Sequence, residues 1–320
     1  MEHVITAQAG CAGWYRLEKI KVDAAGQLIE QTRHVVADWF PNLITDAGLD
    51  LMARDAWLFA CHVGSGNAAP AVSDTRLQSR IASTTQTFDS QNATVIDQRY
   101  GFMRKTFRFD AGTVNANVTE LGIANKAEAD QYTLFSRALV LDGNGQPTSI
   151  TVLADEVLDV TYELRLYVPT NDGSGDVTFA NSKSVHHWSS RVCDLSSTNS
   201  PWNVLLGKAF DVSTFGACWG GKARADNTLL EMKESVSGVS QFSAATKVER
   251  QAYTAGSHVL AFVMSWDLDQ GNFDGGLGWV GLSGSFGAYQ WAFTPKIPKI
   301  ASQKLSLTME IAWSRLDRLP

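Results

Sequence analysis

The stretch from Arg104 to Val168 decides the fold class, because it is a series of short alternating segments separated by turn residues. Phe107-Arg108-Phe109-Asp110 alternates as a strand does, and Ala111-Gly112 interrupts it. Leu134 to Leu141 is largely apolar and ends at Asp142-Gly143-Asn144-Gly145, a strong turn signal. This spacing of strands and turns predicts a mainly β protein.

The last strand of this stretch has two chemically different faces. Side chains alternate along a strand, so every second residue shares a face. One face is apolar and the other carries hydroxyl and charged groups; the two sets are Val160, Tyr162, Leu164 and Leu166, and Thr161, Glu163, Arg165 and Tyr167. We expect the apolar set to point into a sandwich core.

The same pattern recurs in order near the C-terminus. Cys218 mirrors Cys61, Leu282 mirrors Ile123, and Glu310 mirrors Glu163. A repeat of this length indicates two copies of one domain, because solenoid units are only about 20 to 50 residues long. We predict two tandem β-sandwich domains related by an internal duplication, which superpose with Cys61 over Cys218 and Glu163 over Glu310.

Turn formers and local periodicity set the predicted boundaries. The linker-like segment Pro169 to Asp176 separates domain 1 (residues 14–170) from domain 2 (residues 171–320). Residues 1–13 lack periodicity, and we expect them to be an arm that gains order on a neighbour's sheet edge. Thr45, a good N-cap, begins a predicted short helix over residues 45–54.

Composition excludes several function classes. The chain has 320 residues, 44% hydrophobic and 19% charged, which is enough to bury sizeable cores. The net charge is −6 and no basic cluster occurs, so we expect no nucleic-acid partner. No segment approaches the roughly 18 to 20 apolar residues of a membrane helix, and no secretory signal is visible. We therefore predict no membrane insertion.

No motif in the chain predicts catalysis, a metal or a cofactor. The acidic cluster Asp155-Glu156 and Asp159 begins a strand, where exposed charge is ordinary. His186 and His187 are adjacent and would point to opposite faces of a strand. The segment from Asp267 to Asn272 lacks the spacing of a calcium loop. The cysteines, Cys11, Cys61, Cys193 and Cys218, are widely spaced, and we expect all four as thiols. We predict a non-enzymatic protein.

Large aromatic residues are dense near the C-terminus. Trp266, Trp279 and Trp291 are the candidate contact residues of the second domain. Flat aromatic faces pack on sugar rings, whereas core packing and subunit contact are commoner uses of such residues. The three tryptophans are therefore candidates for a subunit interface or for contact with a host surface glycan.

The N-terminal half resembles a group of tailed-bacteriophage virion proteins over residues 14–168, about half of the chain. The residues that carry the resemblance lie in six segments: Trp39 to Asp50, Cys61 to Pro70, Asp74 with Leu77, Val118 to Ile123, Leu134 to Ala138, and Leu158 to Glu163. The second half lacks the Asn-Leu-Ile-Thr signature of residues 42–45.

The resemblance implies a virion structural protein of the tail, the baseplate or a fibre-attachment point. It implies other virion proteins as partners, a homo-oligomer, and a location in the virion after assembly in the host cytoplasm. The alternative from the aromatic residues is a receptor- or glycan-binding adhesin that reads its ligand with the second domain.

Overall fold

The structure, a computed structural model, describes residues 4–54, 57–169, 171–179, 184–193, 217–222, 229–231, 241–284 and 287–316. These residues form a mainly β protein with one α-helix, which confirms the predicted fold class. No helix in the described ranges is long and apolar enough to cross a membrane.

The first half of the chain contains twelve strands and helix α1 (Asp46–Met52). The strands are β1 (Val4–Val22), β2 (Leu28–Pro41), β3 (Leu43–Ile44), β4 (Ala60–Gly64), β5 (Arg80–Thr84), β6 (Thr87–Val95), β7 (Tyr100–Phe109), β8 (Ala116–Val118), β9 (Glu120–Ala124), β10 (Leu134–Leu139), β11 (Ile150–Val152) and β12 (Glu156–Tyr167). A short 3₁₀ turn, Ile96–Gln98, connects β6 and β7.

The described part of the second half adds nine strands. They are β13 (Gly173–Thr178), β14 (Val185–Cys193), β15 (Ala217–Lys222), β16 (Gln241–Ala244), β17 (Lys247–Arg250), β18 (Val259–Trp266), β19 (Leu277–Gly284), β20 (Gly287–Ile297) and β21 (Leu305–Arg315).

One eight-stranded sheet contains strands from both halves. Its order is β17-β18-β21-β1-β12-β7-β6, and β2 also pairs with β1. A five-stranded sheet, β3-β10-β9-β4-β5, belongs to the first half, and a six-stranded sheet, β13-β14-β20-β19-β15-β16, belongs to the second. Strands β8 and β11 form a small separate sheet. The halves therefore share a sheet instead of each having two of its own.

Strand β1 joins the two halves. It is 19 residues long, and it pairs antiparallel with β12 from Gly10 to Lys21 and parallel with β21 from Val4 to Cys11. The predicted boundary between an arm and domain 1, at residue 13, falls inside this strand. Residues 4–13 are thus ordered by their own chain in this structure, where we expected order only on a neighbour.

The five-stranded and the six-stranded sheets pack on the same face of the eight-stranded sheet. Odd-numbered residues of β1 from Ile5 to Leu17 share that face, and the apolar ones are buried in one hydrophobic cluster. The Tyr15 hydroxyl lies 3.0 Å from Ser136 Oγ in the five-stranded sheet. The Trp291 indole donates to the Thr6 carbonyl at 3.2 Å from the six-stranded sheet. The core is therefore continuous through both halves.

The strand pairing repeats between the halves. Strand order β5-β4-β9-β10 corresponds to β16-β15-β19-β20, and β6-β7-β12 corresponds to β17-β18-β21. Register corresponds too. Cys61 opposes Ile123 as Cys218 opposes Leu282, and Arg104 opposes Glu163 as Ala261 opposes Glu310. The predicted duplication requires these equivalences, and the duplication itself stays a prediction that superposing the two halves would check.

Helix α1 begins where the sequence predicts, because Thr45 caps it. The Thr45 hydroxyl accepts the Gly48 N–H at 2.8 Å and donates to the Leu134 carbonyl at 2.8 Å. Gly48 lies so close to β10 that a Cβ at this position would come within 2.0 Å of the Phe135 carbonyl oxygen. The cap and this close approach fix the helix on the five-stranded sheet.

Helix α1 also contacts the second half. Asp50 Oδ1 accepts the Tyr253 hydroxyl at 2.5 Å and the Gly256 N–H at 2.7 Å. The Trp313 indole donates to the Leu49 carbonyl at 3.0 Å, and Arg315 pairs with Asp46. The helix therefore holds the turn before β18 and the end of β21 against the first half.

The Asp50→Ala variant should lower the free energy of unfolding by about 1–3 kcal/mol, because it leaves the Tyr253 hydroxyl and the Gly256 N–H without their acceptor. Urea unfolding followed by tryptophan fluorescence measures the change. Asp38→Ala is the control, since that side chain is largely exposed and should shift the midpoint little. Equal effects of the two substitutions would contradict the role given to Asp50.

A buried ion network holds the loop between β4 and β5. Glu120, fully buried, accepts the backbone N–H groups of Gly66 and Ser79 at 3.0 and 2.7 Å. Arg137 donates to Glu120 Oε2 from Nε and Nη2 at 3.0 and 2.8 Å, and to Asp74 Oδ2 at 2.8 Å. We call these residues, Gly66, Asp74, Ser79, Glu120 and Arg137, the loop clamp. It fixes an exposed loop on the end of the five-stranded sheet.

Candidate interaction site

The candidate site lies on the outer face of the eight-stranded sheet, opposite the core. On β12 the predicted alternation holds: Val160, Tyr162 and Leu164 belong to the hydrophobic cluster, and the alternate residues form the outer face. Two of those alternate residues, Asp159 and Glu163, are carboxylates that are at most 2% exposed. Buried carboxylates on an outer face need partners, because desolvation of an unpaired charge is costly.

Arginines supply those partners. Arg108 binds Asp159 with two bonds, Nε to Oδ1 at 2.8 Å and Nη2 to Oδ2 at 2.6 Å, and Arg33 adds a third at 3.1 Å. Arg104 binds Glu163 Oε2 through Nε and Nη2 at 2.9 and 2.6 Å. Each carboxylate thus fixes guanidinium groups in a set orientation.

These contacts correct the expected exposure of the acidic cluster. Asp159 is buried and paired as described, and Glu156 is buried and binds Lys19 Nζ at 2.8 Å. Only Asp155 is exposed. The arginines that cover Asp159 lie on β7 and β2, far away in sequence, so their position was not predictable from the local pattern.

Aromatic rings stack on the same guanidinium groups. The Arg108 guanidinium lies 4.0 Å from the Phe88 ring centroid, and that of Arg104 lies 5.1 Å from the Trp39 ring. Arg165, which also binds Glu163, is sandwiched by Trp14 at 4.0 Å and Tyr100 at 4.6 Å. We call this surface the arginine–aromatic face; it consists of Trp14, Trp39, Phe88, Tyr100, Arg104, Arg108, Asp159, Glu163 and Arg165.

Two aromatic members of the face remain open to solvent. Phe88 is 55% exposed and Trp39 is 39% exposed. A β-bulge between Thr87 and Asp89 turns Phe88 onto the outer face. The guanidinium of Arg104 is also partly exposed above its buried carboxylate. The arginine–aromatic face therefore exposes aromatic rings and guanidinium groups to solvent. Side chains of these types are enriched at the centres of protein interfaces.

Trp266, Trp279 and Trp291 do not form an exposed site. Each is at most 1% exposed, and each indole N–H has a partner inside the fold. Trp266 donates to the Ser243 carbonyl, Trp279 to Gln290 Oε1 and Trp291 to the Thr6 carbonyl. A sugar ring needs an open aromatic face, so the structure places these residues in the core instead of in a glycan or subunit contact.

The metal-ligand candidates are separated as the sequence predicts. His186 is buried and contacts the Pro295 carbonyl at 2.7 Å, whereas exposed His187 pairs with Asp176. Cys11, Cys61 and Cys193 are buried and outside any disulfide, while the Cys218 side chain lies outside the described residues. Among the residues that the structure describes, no group of three His, Cys, Asp or Glu side chains could hold a metal.

A cleft of 610 Å³ lies where β1 meets β13 and β14. Arg191 on its wall binds Asp172 through Nε and Nη2 at 2.7 and 2.8 Å, and Glu231 through Nη1 at 2.9 Å. These ion pairs leave the wall without a strong charge of either sign. The cleft is polar, and its charged groups point to no particular ligand class.

Sequence reasoning missed the arginine–aromatic face. Its signal is present on β7, where Tyr100, Phe102, Arg104 and Arg108 alternate with core residues. The alternation indicates a shared face, but the matching carboxylates and the rings of Trp39 and Phe88 come from other strands.

Comparison with known proteins assigns no family to the chain. No protein-family model, no curated protein and no solved structure matches it.

Proposed function

We propose that this chain is a non-enzymatic structural component of a tailed-phage virion, in the tail, the baseplate or a fibre-attachment point. In this proposal the arginine–aromatic face docks on another virion protein. The observation that carries the proposal is the exposure of Phe88 and Trp39 above guanidinium groups that buried carboxylates hold in place. Pre-oriented side chains lose little conformational entropy on binding.

The resemblance to virion proteins supports the same role. Four of its segments meet in the loop clamp, which contains Gly66, Asp74, Glu120 and Arg137. These segments are thus parts of one structural unit that fixes a surface loop. A rigid scaffold with fixed surface loops suits a protein whose work is assembly.

The adhesin alternative has lost its support in the structure. It rests on Trp266, Trp279 and Trp291 as sugar-stacking residues, and all three are buried. We therefore propose virion proteins, and not a host glycan, as the partners of this chain.

The double variant Trp39→Ala/Phe88→Ala should fold but fail to enter particles. Loss of two interface aromatics of about 2 kcal/mol each would weaken docking by about 4 kcal/mol in sum, which is roughly 1,000-fold. The test supplies the variant in trans to a phage lacking this gene and measures chain copies per purified particle by quantitative mass spectrometry. Circular dichroism checks that the variant is folded.

Ile300→Ala is the matched control, because Ile300 is comparably exposed but lies between β20 and β21, away from the face. It should enter particles as the native chain does. Absence of the native chain from purified particles would refute the virion role, and normal incorporation of the double variant would refute the docking face.

A further inference from the structure

Strand β6 ends the eight-stranded sheet and has an open edge. Among the described strands it pairs with β7 only. Its first seven residues, Thr87 to Ala93, are exposed. An edge strand presents a row of backbone donors and acceptors that another strand can pair with.

This edge lacks the usual protection against pairing. Proteins block edge strands with lysine, proline, inward-pointing charges or bulges. Asp89 is the only charged residue of β6, and the strand has neither lysine nor proline. The bulge lies at its start, between Thr87 and Asp89, and from Asp89 to Val95 the pairing with β7 is regular. Seven residues are therefore available for a regular ladder.

We propose that β6 pairs with β6 of a second copy of this chain, antiparallel, about a twofold axis through Asn92. In this register Ser90 opposes Thr94 of the second copy, and the reciprocal pair forms by symmetry. Opposed serine and threonine hydroxyls are a favourable cross-strand pair. Asp89 opposes Val95, so no like charges meet. A register with the axis through Asp89 would instead set the two Asp89 carboxylates against each other, which is unfavourable.

The pairing would place two arginine–aromatic faces side by side. A twofold axis between antiparallel edge strands is perpendicular to the sheet, so the outer faces of both copies point the same way. Phe88, which the bulge aims outward, lies near the seam and stays accessible from that side. The inference does not depend on the virion role, because isolated protein suffices to test it.

Engineered cysteines test the register. Asn92→Cys should form a disulfide-linked dimer on mild oxidation, because directly opposed Cα atoms lie about 4.5–5.5 Å apart, within the range that a disulfide bridges. The Ser90→Cys variant by itself should form no disulfide-linked dimer. In the proposed register the new thiol of each copy would oppose Thr94 of the other copy, four residues away from the other new thiol. An equimolar mixture of Ser90→Cys and Thr94→Cys chains should give a crosslinked heterodimer. The unaltered chain controls for its own thiols, three of which are buried.

Asn92→Lys tests the pairing without crosslinking. It sets two ammonium groups against each other and should raise the dimer dissociation constant by roughly tenfold or more. Light scattering should then change from twice the 34.9 kDa chain mass toward the single-chain mass. Asn144→Lys adds the same charge in a distant turn and should leave the dimer intact. A monomeric native chain, a dimer unaffected by Asn92→Lys, or equal crosslinking of Ser90→Cys would overturn the proposal.

Discussion

Replacing Arg137 with alanine is expected to lower the free energy of unfolding by about 3–5 kcal/mol, the largest effect among the substitutions considered for this chain. Arg137 is buried and binds both Glu120 and Asp74. Its removal leaves the Glu120 carboxylate without its guanidinium partner in a site closed to water. Breaking a buried pair from one side is costly for that reason, whatever the net value of the intact pair.

Urea unfolding at neutral pH measures this loss, with Arg54→Ala as the matched control. Arg54 is half exposed and contacts Asp50 at 3.5 Å, so its removal should cost less than about 0.5 kcal/mol. If Arg137→Ala unfolded at nearly the same urea concentration as Arg54→Ala, the loop clamp would not be a main support of the fold.

Gly66→Ala tests the same clamp without changing any charge. A Cβ on Gly66 would lie 2.5 Å from Glu120 Oε1 and 2.5 Å from Gln78 Cβ, so the loop would have to shift off the carboxylate. Gly143→Ala is the control, because a Cβ there meets no atom within 4 Å. We expect Gly66→Ala to lower the free energy of unfolding, as Arg137→Ala does, and Gly143→Ala to leave it nearly unchanged.

The sequence predicts those elements whose signals are local. Thr45 predicts the start of helix α1, and the alternation from Val160 to Leu166 predicts which residues of β12 face the core. In each case a single segment contains both the turn or cap chemistry and the hydrophobic period. Neighbouring strands have little influence on such patterns, so reading them from the sequence succeeds.

Strand β1 shows why longer-range structure was not predictable. Its first part has small residues at the core positions, Ala7, Ala9 and Gly13 among them, and such residues have weak β-propensity. Pairing with β21, 304 positions later in the chain (Val4 with Thr308), makes this segment a strand. The local sequence gives no sign of that partner, so the pattern of residues 1–13 alone predicts an arm.

The arginine–aromatic face could not be predicted from the sequence for a related reason, because its residues come from strands that are distant in the chain. A charge at a strand start is commonly exposed, whereas Asp159 is buried and paired with Arg108 and Arg33, which lie on other strands. The tryptophans near the C-terminus pose a second difficulty, because their sequence pattern suggests a contact surface but their side chains are buried. An aromatic-rich segment fits a binding surface and a core equally well, and Trp291 is buried where the six-stranded sheet packs on β1.

Acidification should destabilise the protein through His62. The side chain is buried on β4, where Nε2 lies 2.7 Å from the Lys126 carbonyl and the ring stacks on Tyr132 at 4.1 Å. A carbonyl only accepts, so Nε2 carries the proton of the neutral ring. Nδ1 is buried and has no hydrogen-bond partner within the described structure. A second proton would therefore add an unpaired charge to the interior.

Burial lowers the pKa of His62 from 6.5 to about 4; the bond to the Lys126 carbonyl opposes this shift, and the nearby charges of Arg80 and Arg76 add to it. Between these two values the unfolded chain binds more protons than the folded chain. The contribution of neutral His62 to the free energy of unfolding is therefore present in full above pH 6.5. It is lost as the pH falls toward 4. A shift of this size corresponds to about 3 kcal/mol when both states are fully titrated.

Urea unfolding of the native chain and of His62→Gln at pH 7 and pH 4.5 isolates this contribution, because carboxylates titrate alike in both proteins. Glutamine still donates to the Lys126 carbonyl but gains no charge. The native chain should lose about 2 kcal/mol more than His62→Gln over this interval. His34→Gln, at an exposed position on β2, should keep the native pH dependence. Parallel losses in the native chain and His62→Gln would mean that the interior accepts a charged imidazole, and that acid unfolding begins elsewhere in the fold.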